Sequence, residues 1–233
     1  MLDLYQGVQV VHLDNHLLVV VKPPNMPSQA DASGDLDVLT CMKAYIRRVY
    51  GKPGAVYLGL VHRLDRPVGG LMALARTSKA AARLSEQARE RTLRRGYLAV
   101  TRGRAPQSAD LADWLLKDHS NTVSVVPPHT PGAKEARLSL QCLAEADGLC
   151  LLRVALYTGR SHQIRVQCAN AGFPLWGDAR YGGGKPGQQI ALWGTSLCLH
   201  HPTLKKTMDF CVPPPSGAPW SFFASPAGEK KEN

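Results

Sequence analysis

The chain has 233 residues, of which 44% are hydrophobic, and a formal net charge of +10 from 28 Lys and Arg against 18 Asp and Glu. This length and hydrophobic content suit one large or two small folded domains and exclude a disordered chain. Because no run of about 18 apolar residues and no basic leader is present, we expect a soluble cytoplasmic protein with no membrane partner, and the basic excess indicates a polyanionic ligand.

The first part of the chain predicts a strand, a loop and a helix. A Val-rich run over 16–22 is typical of a strand, and the small polar residues at 28–35 predict a loop. Apolar residues then recur at helical spacing from 38 to 49, and either Asp35 or Asp37 can cap the start of this helix.

The next part predicts three short strands and one helix. The strands are expected at 56–61, 71–75 and 96–101. Between the second and third strands, apolar positions have helical spacing over 79–91, and Thr77 or Ser78 provides the N-cap.

The middle of the second half predicts a long loop and a hairpin. Residues 106–131 are expected to be mostly loop, with one short apolar piece near 114–116. Two alternating runs, 137–143 and 150–156, predict an antiparallel pair with its turn at Asp147-Gly148.

The last part predicts a helix, a glycine-rich loop and a final strand. Ser161 is the expected N-cap of a helix that ends at Gly172. Residues 177–187 predict a loop and 192–199 the final strand. Because strands outnumber helices and do not alternate regularly with them, we expect an α+β fold with a mixed, largely antiparallel central sheet flanked by helices.

The six cysteines show no spacing typical of a zinc site or a redox motif. No two are separated as C-x-x-C. We therefore expect buried, reduced thiols and no metal site. The cysteines are Cys41, Cys142, Cys150, Cys168, Cys198 and Cys211.

One candidate motif is HRLDRPVGG at 62–70. Asp65 is a lone carboxylate beside His62, Arg63 and Arg66. Nearby positive charge favours the ionised form of a carboxylate, which can act as a nucleophile or a base. A solvated turn with a structural ion pair accounts for the same residues and is the commoner arrangement.

A second motif, TGRSHQIR at 158–165, is expected to form a turn that leads into a helix. Helix N-termini bind anions, and Arg160, His162 and Arg165 add donors there. A capped surface helix explains the segment equally well. A third stretch, 94–97, places a basic pair before Tyr97, which on its own indicates only a packing residue of a strand.

In this order, the motifs resemble those of the RluA-type pseudouridine synthases. HRLDRPVGG resembles the H-R-L-D signature of that family, and TGRSHQIRV resembles its T-G-R-T-H-Q-I-R stretch. Tyr97 is similar to the tyrosine of its basic-x-Tyr-x-Ala segment. Weaker matches are VKPPNMP at 21–27, the G-D-x-x-Y-G pattern at 177–182 and the late L-H-P element at 199–202.

The resemblance covers residues 10–215 and implies a catalytic domain over 1–215, followed by a tail over 216–233. It leaves no room for an S4-like domain ahead of Val10. The implied activity is isomerisation of a specific uridine in ribosomal or transfer RNA to pseudouridine, with a stem-loop of that RNA as the partner. No cofactor is expected, since the reaction needs no electron transfer and no outside group. We expect a monomer.

The resemblance also assigns roles to residues. Asp65 is the implied nucleophile, Arg165 keeps it ionised and oriented, and Tyr97 lies near the target base. Arg63 resembles the residue that fills the space left by the flipped base. The remaining expected contacts to the RNA are His62, Arg66, Arg160, His162 and Gln163.

This sequence departs from the family at Val68 and Gly69, where the family has Thr-Ser. A glycine there is expected to loosen the turn after Asp65. The basic excess also predicts that six arginines line one cleft. They are Arg63, Arg66, Arg94, Arg95, Arg160 and Arg165.

Two other functions are compatible with these motifs. A non-catalytic RNA-binding module or chaperone on the same scaffold would bind RNA without using Asp65. A nucleoside or glycoside hydrolase would pair Asp65 with a second carboxylate, for which Asp178 is the candidate.

Overall fold

The computed structural model describes residues 3–51, 53–182 and 184–223. Within them, the chain forms one twelve-stranded sheet with three α-helices. The helices are α1 (Val38–Tyr50), α2 (Ser78–Arg89) and α3 (Gln163–Asn170). The strands are β1 (Leu4–Tyr5), β2 (Val8–Leu13), β3 (Leu17–Lys22), β4 (Gly59–Leu60), β5 (Gly69–Ala75), β6 (Arg94–Arg102), β7 (Ser108–Lys117), β8 (Val123–Val126), β9 (Lys134–Ala146), β10 (Leu149–Leu156), β11 (Leu192–His200) and β12 (Thr207–Cys211).

The strand order is β1-β2-β3-β5-β11-β6-β10-β9-β7-β8, with β12 paired to β11 and β4 to β5. Strands β5 and β11 run parallel, and the other paired strands are antiparallel. The predicted α+β class with a mixed, largely antiparallel sheet is therefore confirmed. None of the helices among the described residues is long and apolar enough to cross a membrane.

The helix α1 begins and ends where the sequence predicts. The Asp37 side chain accepts a hydrogen bond from the Thr40 backbone N–H at 3.0 Å, so Asp37 and not Asp35 is the N-cap. Gly51 ends the helix in the left-handed conformation, with φ of 57°. The buried face of α1, which includes Met42 and Ile46, packs into the main core.

The predicted loop over 106–131 is wrong, because most of this segment forms β7 and β8. Alternate residues of β7 turn inward, and one of them is Asp113. Its carboxylate accepts a hydrogen bond from the Gln167 side chain at 2.7 Å. A charged residue at an inward position breaks the apolar alternation by which a strand is identified in sequence.

Other strand predictions also differ from the structure. The strand expected at 56–61 is reduced to Gly59–Leu60, and β1, β2 and β12 were not predicted. The run 192–199 is not the final strand, since β12 follows it and pairs with it. In β12 alternate residues are exposed, as expected for a strand paired on one side, so its apolar signal is weak.

The hairpin of β9 and β10 is confirmed. Its turn residues Asp147 and Gly148 both have positive φ, 49° and 72°. This is the backbone that a two-residue hairpin turn requires, and Asp-Gly is a preferred pair for it.

The start of α3 corrects the expectation for Ser161. The N-cap is His162, which has a left-handed φ of 53° and makes no capping hydrogen bond through its side chain. The Gln163 side chain accepts a hydrogen bond from the Arg160 N–H at 3.0 Å and so fixes the turn that a serine cap would have fixed. The helix ends at Asn170, before Gly172.

The segment expected as a tail, 216–233, carries structure in its first part. Trp220–Phe223 form a 3-10 helix, and Trp220 packs against buried residues of the sheet. Residues 224–233 lie outside the described residues.

Candidate active site

Three of the sequence motifs meet in one cleft, called here the Asp65 cleft. Asp65 lies on the loop between β4 and β5, Tyr97 on β6 and Arg165 on α3. Since β11 alone separates β5 from β6 in the sheet, the Asp65 loop before β5 lies close to Tyr97 on β6. The cleft is also lined by Arg63, Leu64, Val68, Arg95, Leu156, Gly159, Arg160, His162, Gln163, Ile164 and Leu192.

Asp65 is held by a turn and faces the side chains of Arg165 and His162. The Val68 N–H donates to the Asp65 backbone oxygen at 3.0 Å, which closes the turn. The carboxylate is 27% exposed and accepts a hydrogen bond from Arg165 Nη1 at 3.3 Å. Nε2 of His162 lies 4.0 Å from the same oxygen. A partly exposed carboxylate beside a cation is suited to stabilise positive charge on a substrate.

Arg165 connects two carboxylates. Its Nε and Nη2 donate to the two oxygens of Asp178 at 2.7 and 2.8 Å, while Nη1 is left for Asp65. Burial lowers the pKa of Arg165, but the hydrogen bonds and charges of Asp178 and Asp65 raise it above its usual range. The Tyr181 ring lies 5.1 Å from the guanidinium. The expected pairing with Asp65 is present, and Asp178 fixes the orientation of the arginine that makes it.

Asp178 is not available as a free acid. Its side chain is 1% exposed, and both oxygens accept hydrogen bonds from Arg165. One oxygen also accepts from the Arg180 N–H at 3.2 Å. A hydrolase that uses a pair of carboxyl groups needs the second one to give or take a proton at the substrate. The geometry of Asp178 is that of a structural ion pair.

Tyr97 is 5% exposed and forms part of the wall of the cleft. Burial raises the pKa of Tyr97, and the nearby Asp65 charge acts in the same direction. The phenol therefore stays protonated at neutral pH. Its protonated hydroxyl is a hydrogen-bond donor.

His162 and Tyr181 form a hydrogen-bonded pair behind Asp65. The distance from His162 Nδ1 to the Tyr181 hydroxyl is 2.7 Å. Burial lowers the pKa of His162, so the imidazole is neutral at neutral pH and its contact with Asp65 is polar and not an ion pair.

Gln163 is 3% exposed and supports the loop that precedes it. Its Oε1 accepts from the Thr158 hydroxyl at 2.8 Å, and its Nε2 donates to the Arg137 carbonyl at 3.1 Å. Arg160 is tied down as well, because its Nε donates to the Glu135 carbonyl at 2.9 Å. These contacts give the 158–163 turn a fixed shape at the rim of the cleft.

The basic residues around Asp65 have different surroundings. Arg66 turns toward the loop after β3, where it pairs with Asp35 and lies 3.7 Å from Asp31. It lines a depression next to the Asp65 cleft and not the cleft itself. Arg63 is exposed and lines both.

His62 lies beneath the loop. It is 8% exposed, and its Nε2 accepts a hydrogen bond from the Ala73 N–H at 3.0 Å. Burial lowers the pKa of His62 to about 3, and the charge of Arg95 contributes. The neutral ring joins the base of the Asp65 loop to β5.

Lys22 is a functional candidate that the sequence did not reveal. It is fully buried, and its Nζ donates to the carbonyls of Pro23, Met26 and Arg66 at 3.0, 2.6 and 2.9 Å. Burial lowers its pKa to about 7, although the charge of Asp65 acts in the opposite direction. In the sequence, Lys22 is the lysine of VKPPNMP, and the pattern of this segment gives no indication of a role for it.

Gly69 does not loosen the turn. It is the first residue of β5 and is buried. A Cβ at this position would overlap the Trp193 ring, which belongs to the neighbouring strand β11. The absence of a side chain at Gly69 therefore accommodates Trp193.

Of the six arginines expected to line one cleft, four line the Asp65 cleft, and Arg66 and Arg94 do not. Arg63, Arg95, Arg160 and Arg165 line the Asp65 cleft, and Arg66 lines the adjoining depression. Arg94 precedes Arg95 on a strand, where neighbouring side chains point to opposite faces. Its Nη2 lies 3.4 Å from Cys198 Sγ, and it does not line the cleft.

The residues that could hold a metal ion lie elsewhere. In the part of the chain that the structure describes, the grouping of three such ligands is Cys142, Glu145 and Cys150, on the hairpin of β9 and β10. The Asp65 cleft is lined mainly by arginines, one carboxylate, a tyrosine and apolar side chains, which suit an anionic ligand with an aromatic or apolar portion.

Comparisons with known proteins identify the family of the chain. A family model described as RNA pseudouridylate synthase matches residues 16–170. The chain is 31% identical over 183 residues to the uncharacterized RNA pseudouridine synthase YhcT of Bacillus subtilis (strain 168), covering 77% of this chain and 59% of that protein. It is 32% identical over 206 residues to ribosomal large subunit pseudouridine synthase C of Escherichia coli (strain K12), covering 85% and 61%. The chain thus spans about three fifths of the length of these relatives.

The fold is shared with a solved structure, human RNA pseudouridylate synthase domain containing 4. The two superpose with a TM-score of 0.74 at 21% sequence identity, over 88% of each chain. The matching family model covers more than half of the chain and includes the Asp65 loop, Tyr97 and Arg165. The chain belongs to the RNA pseudouridylate synthase family.

Proposed function

We propose that this protein is an RNA pseudouridine synthase that isomerises a specific uridine in structured ribosomal or transfer RNA, with Asp65 as the nucleophile. The observation that carries the proposal is the geometry of Arg165, which is fixed by Asp178 and directs its remaining nitrogen, Nη1, at Asp65, in a cleft that Tyr97 shares. Family membership and the arginines around the cleft support it.

The reaction breaks the bond between C1′ of the ribose and N1 of uracil and forms a bond between C1′ and C5. The hydrogen on C5 leaves as a proton, and N1 gains a proton, so no electrons are exchanged with another molecule. Positive charge develops at C1′ when the first bond breaks, and a carboxylate beside it stabilises that charge, as in retaining glycosidases. Asp65 has this position in the proposal.

In the proposal, the other residues of the cleft orient Asp65 and bind the RNA. Arg165 holds the Asp65 carboxylate through a charge-assisted hydrogen bond. Tyr97 stacks against the base and donates a hydrogen bond, since its phenol is protonated. The target nucleotide leaves its stack to reach Asp65, at a cost of a few kcal/mol, and phosphate contacts to the arginines offset that cost.

The decisive variant is Asp65→Asn. We expect pseudouridine formation to fall by at least about a thousandfold with RNA binding retained, because the amide keeps the shape but not the charge. Release of tritium from RNA labelled at C5 of uridine measures the reaction directly. Asp35→Asn, an exposed carboxylate that pairs with Arg66 outside the cleft, is the matched control.

Two outcomes would contradict the proposal. Full activity of Asp65→Asn would favour an RNA-binding module or chaperone, in which the carboxylate is dispensable. Free uracil as the product would favour a hydrolase. The target is found by deleting the gene and mapping which pseudouridine disappears from total RNA.

A further inference from the structure

A second depression adjoins the Asp65 cleft and is called here the arginine basin. It has a volume of about 570 Å³, and Asp65 is the one acidic residue among the described residues that line it. It shares a wall with the Asp65 cleft. The residues that line both are Arg63, Asp65, Arg95, Gly159 and Arg160. The basin also contains Arg89, Gln29 and Ser161.

Arg95 differs in its surroundings from other arginines of the basin. Arg89 is 3.2 Å from Glu86, and Arg160 donates to the Glu135 carbonyl. Among the residues that the structure describes, none accepts a hydrogen bond from the Arg95 side chain or forms an ion pair with it, and its Nε is buried. A guanidinium that has no acceptor within the protein can offer its Nη donors to an anionic ligand.

Gly159 gives Arg95 its position. A Cβ at Gly159 would lie 2.9 Å from Nη2 and 3.2 Å from Nη1 of Arg95, and the φ of Gly159 is outside the left-handed region. The backbone conformation therefore permits alanine at 159, and a Cβ there would push the Arg95 guanidinium out of its position. The two residues form one unit in the shared wall.

We propose that the arginine basin is a phosphodiester subsite of the RNA, and that Arg95 binds the phosphate that joins the target nucleotide to its neighbour. This rests on the proposed function for the nature of the ligand. A nucleotide chain with one base in the Asp65 cleft and the next nucleotide in the basin crosses the wall where Arg95 lies. A guanidinium offers paired N–H donors that fit two phosphate oxygens.

The test compares Arg95→Gln with Arg94→Gln in the full-length protein. Arg94 is the adjacent residue on the same strand and points away from the Asp65 cleft, so it controls for the loss of one positive charge. The probe is a fluorescein-labelled RNA of twelve uridines, and fluorescence anisotropy gives Kd between 50 and 200 mM KCl. Thermal unfolding confirms that each variant is folded.

We expect Arg95→Gln to raise Kd about tenfold and to reduce the slope of log K against log salt by about 0.7, the value for one phosphate contact on a single strand. Arg94→Gln should leave both nearly unchanged. Equal effects of the two variants would overturn the proposal, since the loss would then come from net charge.

Gly159→Ala provides a second, independent variant. It keeps all charges, and we expect it to weaken binding because the new Cβ displaces the Arg95 guanidinium. In the double variant with Arg95→Gln, Gly159→Ala should add little, since its target is gone. If the effects of the two substitutions on Kd are fully additive, Gly159 does not act by positioning the Arg95 side chain.

The outcome is separable from that of the proposed function. Binding of the uridine probe is measured without turnover, so the Asp65→Asn experiment can fail while the Arg95 result stands. Conversely, the protein can form pseudouridine while Arg95→Gln has no specific effect on binding. That result would support the proposed function and reject the phosphodiester subsite.

Discussion

The ammonium group of Lys22 is buried and makes three hydrogen bonds near the site. All three of its hydrogen-bond partners are backbone carbonyls, and one of them belongs to Arg66, next to Asp65. A single side chain therefore joins the end of β3, the loop after it and the Asp65 loop. Its role is to position the loop, since it does not line the cleft.

Lys22→Met is expected to lower the free energy of unfolding by about 3 kcal/mol at pH 7, because three buried carbonyls lose their donor. Urea unfolding of the variant and of Lys43→Met, a helix residue of α1 outside the cleft, measures the difference. A loss no larger than that of the control would contradict the positioning role.

The same pair of proteins gives a pH test. The pKa of Lys22 is about 7 in the folded protein and has its ordinary value of 10.5 in the unfolded chain. Between these values the unfolded state binds the additional proton, so raising the pH favours folding. From pH 7 to pH 9 the stability of the wild type, relative to Lys22→Met, should increase by about 2 kcal/mol. A constant or decreasing difference would show that the folded pKa is not lowered.

Arg165→Lys keeps the charge and removes the planar set of donors. Lysine is not able to bind both oxygens of Asp178 side by side and still reach Asp65 in the same geometry. We expect kcat for pseudouridine formation to fall by about a hundredfold, the effect of misplacing a catalytic group. Arg83→Lys on α2, where Arg83 donates to the Pro202 carbonyl, is the control. A change in kcat of less than twofold for Arg165→Lys would rule out the bridging role.

At the residue scale, the sequence predicts those residues that lie in contiguous motifs. Asp65, Tyr97 and Arg165 come together as the resemblance implies. The roles of Lys22 and Asp178 depend on contacts between segments that are distant in the chain, and no local pattern reports such contacts. The prediction for Arg94 is wrong because side chains alternate along a strand, so the two residues of the basic pair face opposite sides.

At the scale of elements, β5 follows the Asp65 loop directly, and its contact with β11 holds this strand in place. Gly69 and Trp193 are paired residues of these parallel strands. The indole covers the position where a side chain of residue 69 would lie. The small residue and the large one compensate in size, so the strand that supports the Asp65 loop is tightly packed.

Gly69→Ser is expected to destabilise the protein by about 1–3 kcal/mol, the cost of overpacking a core. Trp193→Leu in the same chain should recover part of this loss, because it removes the ring that the serine meets. A double-mutant cycle from urea unfolding measures the coupling. If the two changes are additive, the strands do not compensate each other in this way.

The sequence predicts elements whose apolar residues follow a regular helical or strand spacing. It does not predict elements in which a polar residue interrupts that spacing. The helices α1 and α2 and the hairpin of β9 and β10 have caps or turn residues that act locally. The strand β7 was not predicted because the inward-facing Asp113 interrupts its apolar pattern. In the structure, its carboxylate accepts a hydrogen bond from Gln167, which lies on α3, far along the chain. Such a partner is visible only in the folded chain.

At the scale of the whole molecule, the cysteines show how the chain distributes its reactive groups. All six are free thiols, as the sequence predicts, but the burial predicted for all of them holds for only four. Four are buried, Cys198 is half-buried and Cys211 is exposed. Burial raises the pKa of Cys41 to about 11 and that of Cys168 to about 12, so both are protonated and inert at neutral pH.

A thiol reagent such as DTNB should therefore react rapidly with one cysteine of the native protein, slowly with a second, and with all six after denaturation. Cys211→Ser should remove the rapid phase, because it is the exposed thiol. Rapid reaction of three or more thiols in the native protein would contradict the packing of the core.

The class of the fold was predictable from the number and spacing of strands, but the order of the strands was not. Hydrophobic patterns identify segments that pair, and they carry no information on which distant segment is the partner. The insertion of a late strand between two early ones is of this kind.

That insertion has a consequence for synthesis on the ribosome. The strands up to β5 and the strands from β6 to β10 do not pair with each other in the described part of the chain, since β11 lies between them. Asp65 belongs to the first group, whereas Tyr97 and Arg165 belong to the second or follow it. A nascent chain that ends before residue 192 thus holds the Asp65 carboxylate and its partners in two sheets that β11 has yet to join. We expect the Asp65 cleft to assemble only after β11 has been synthesised.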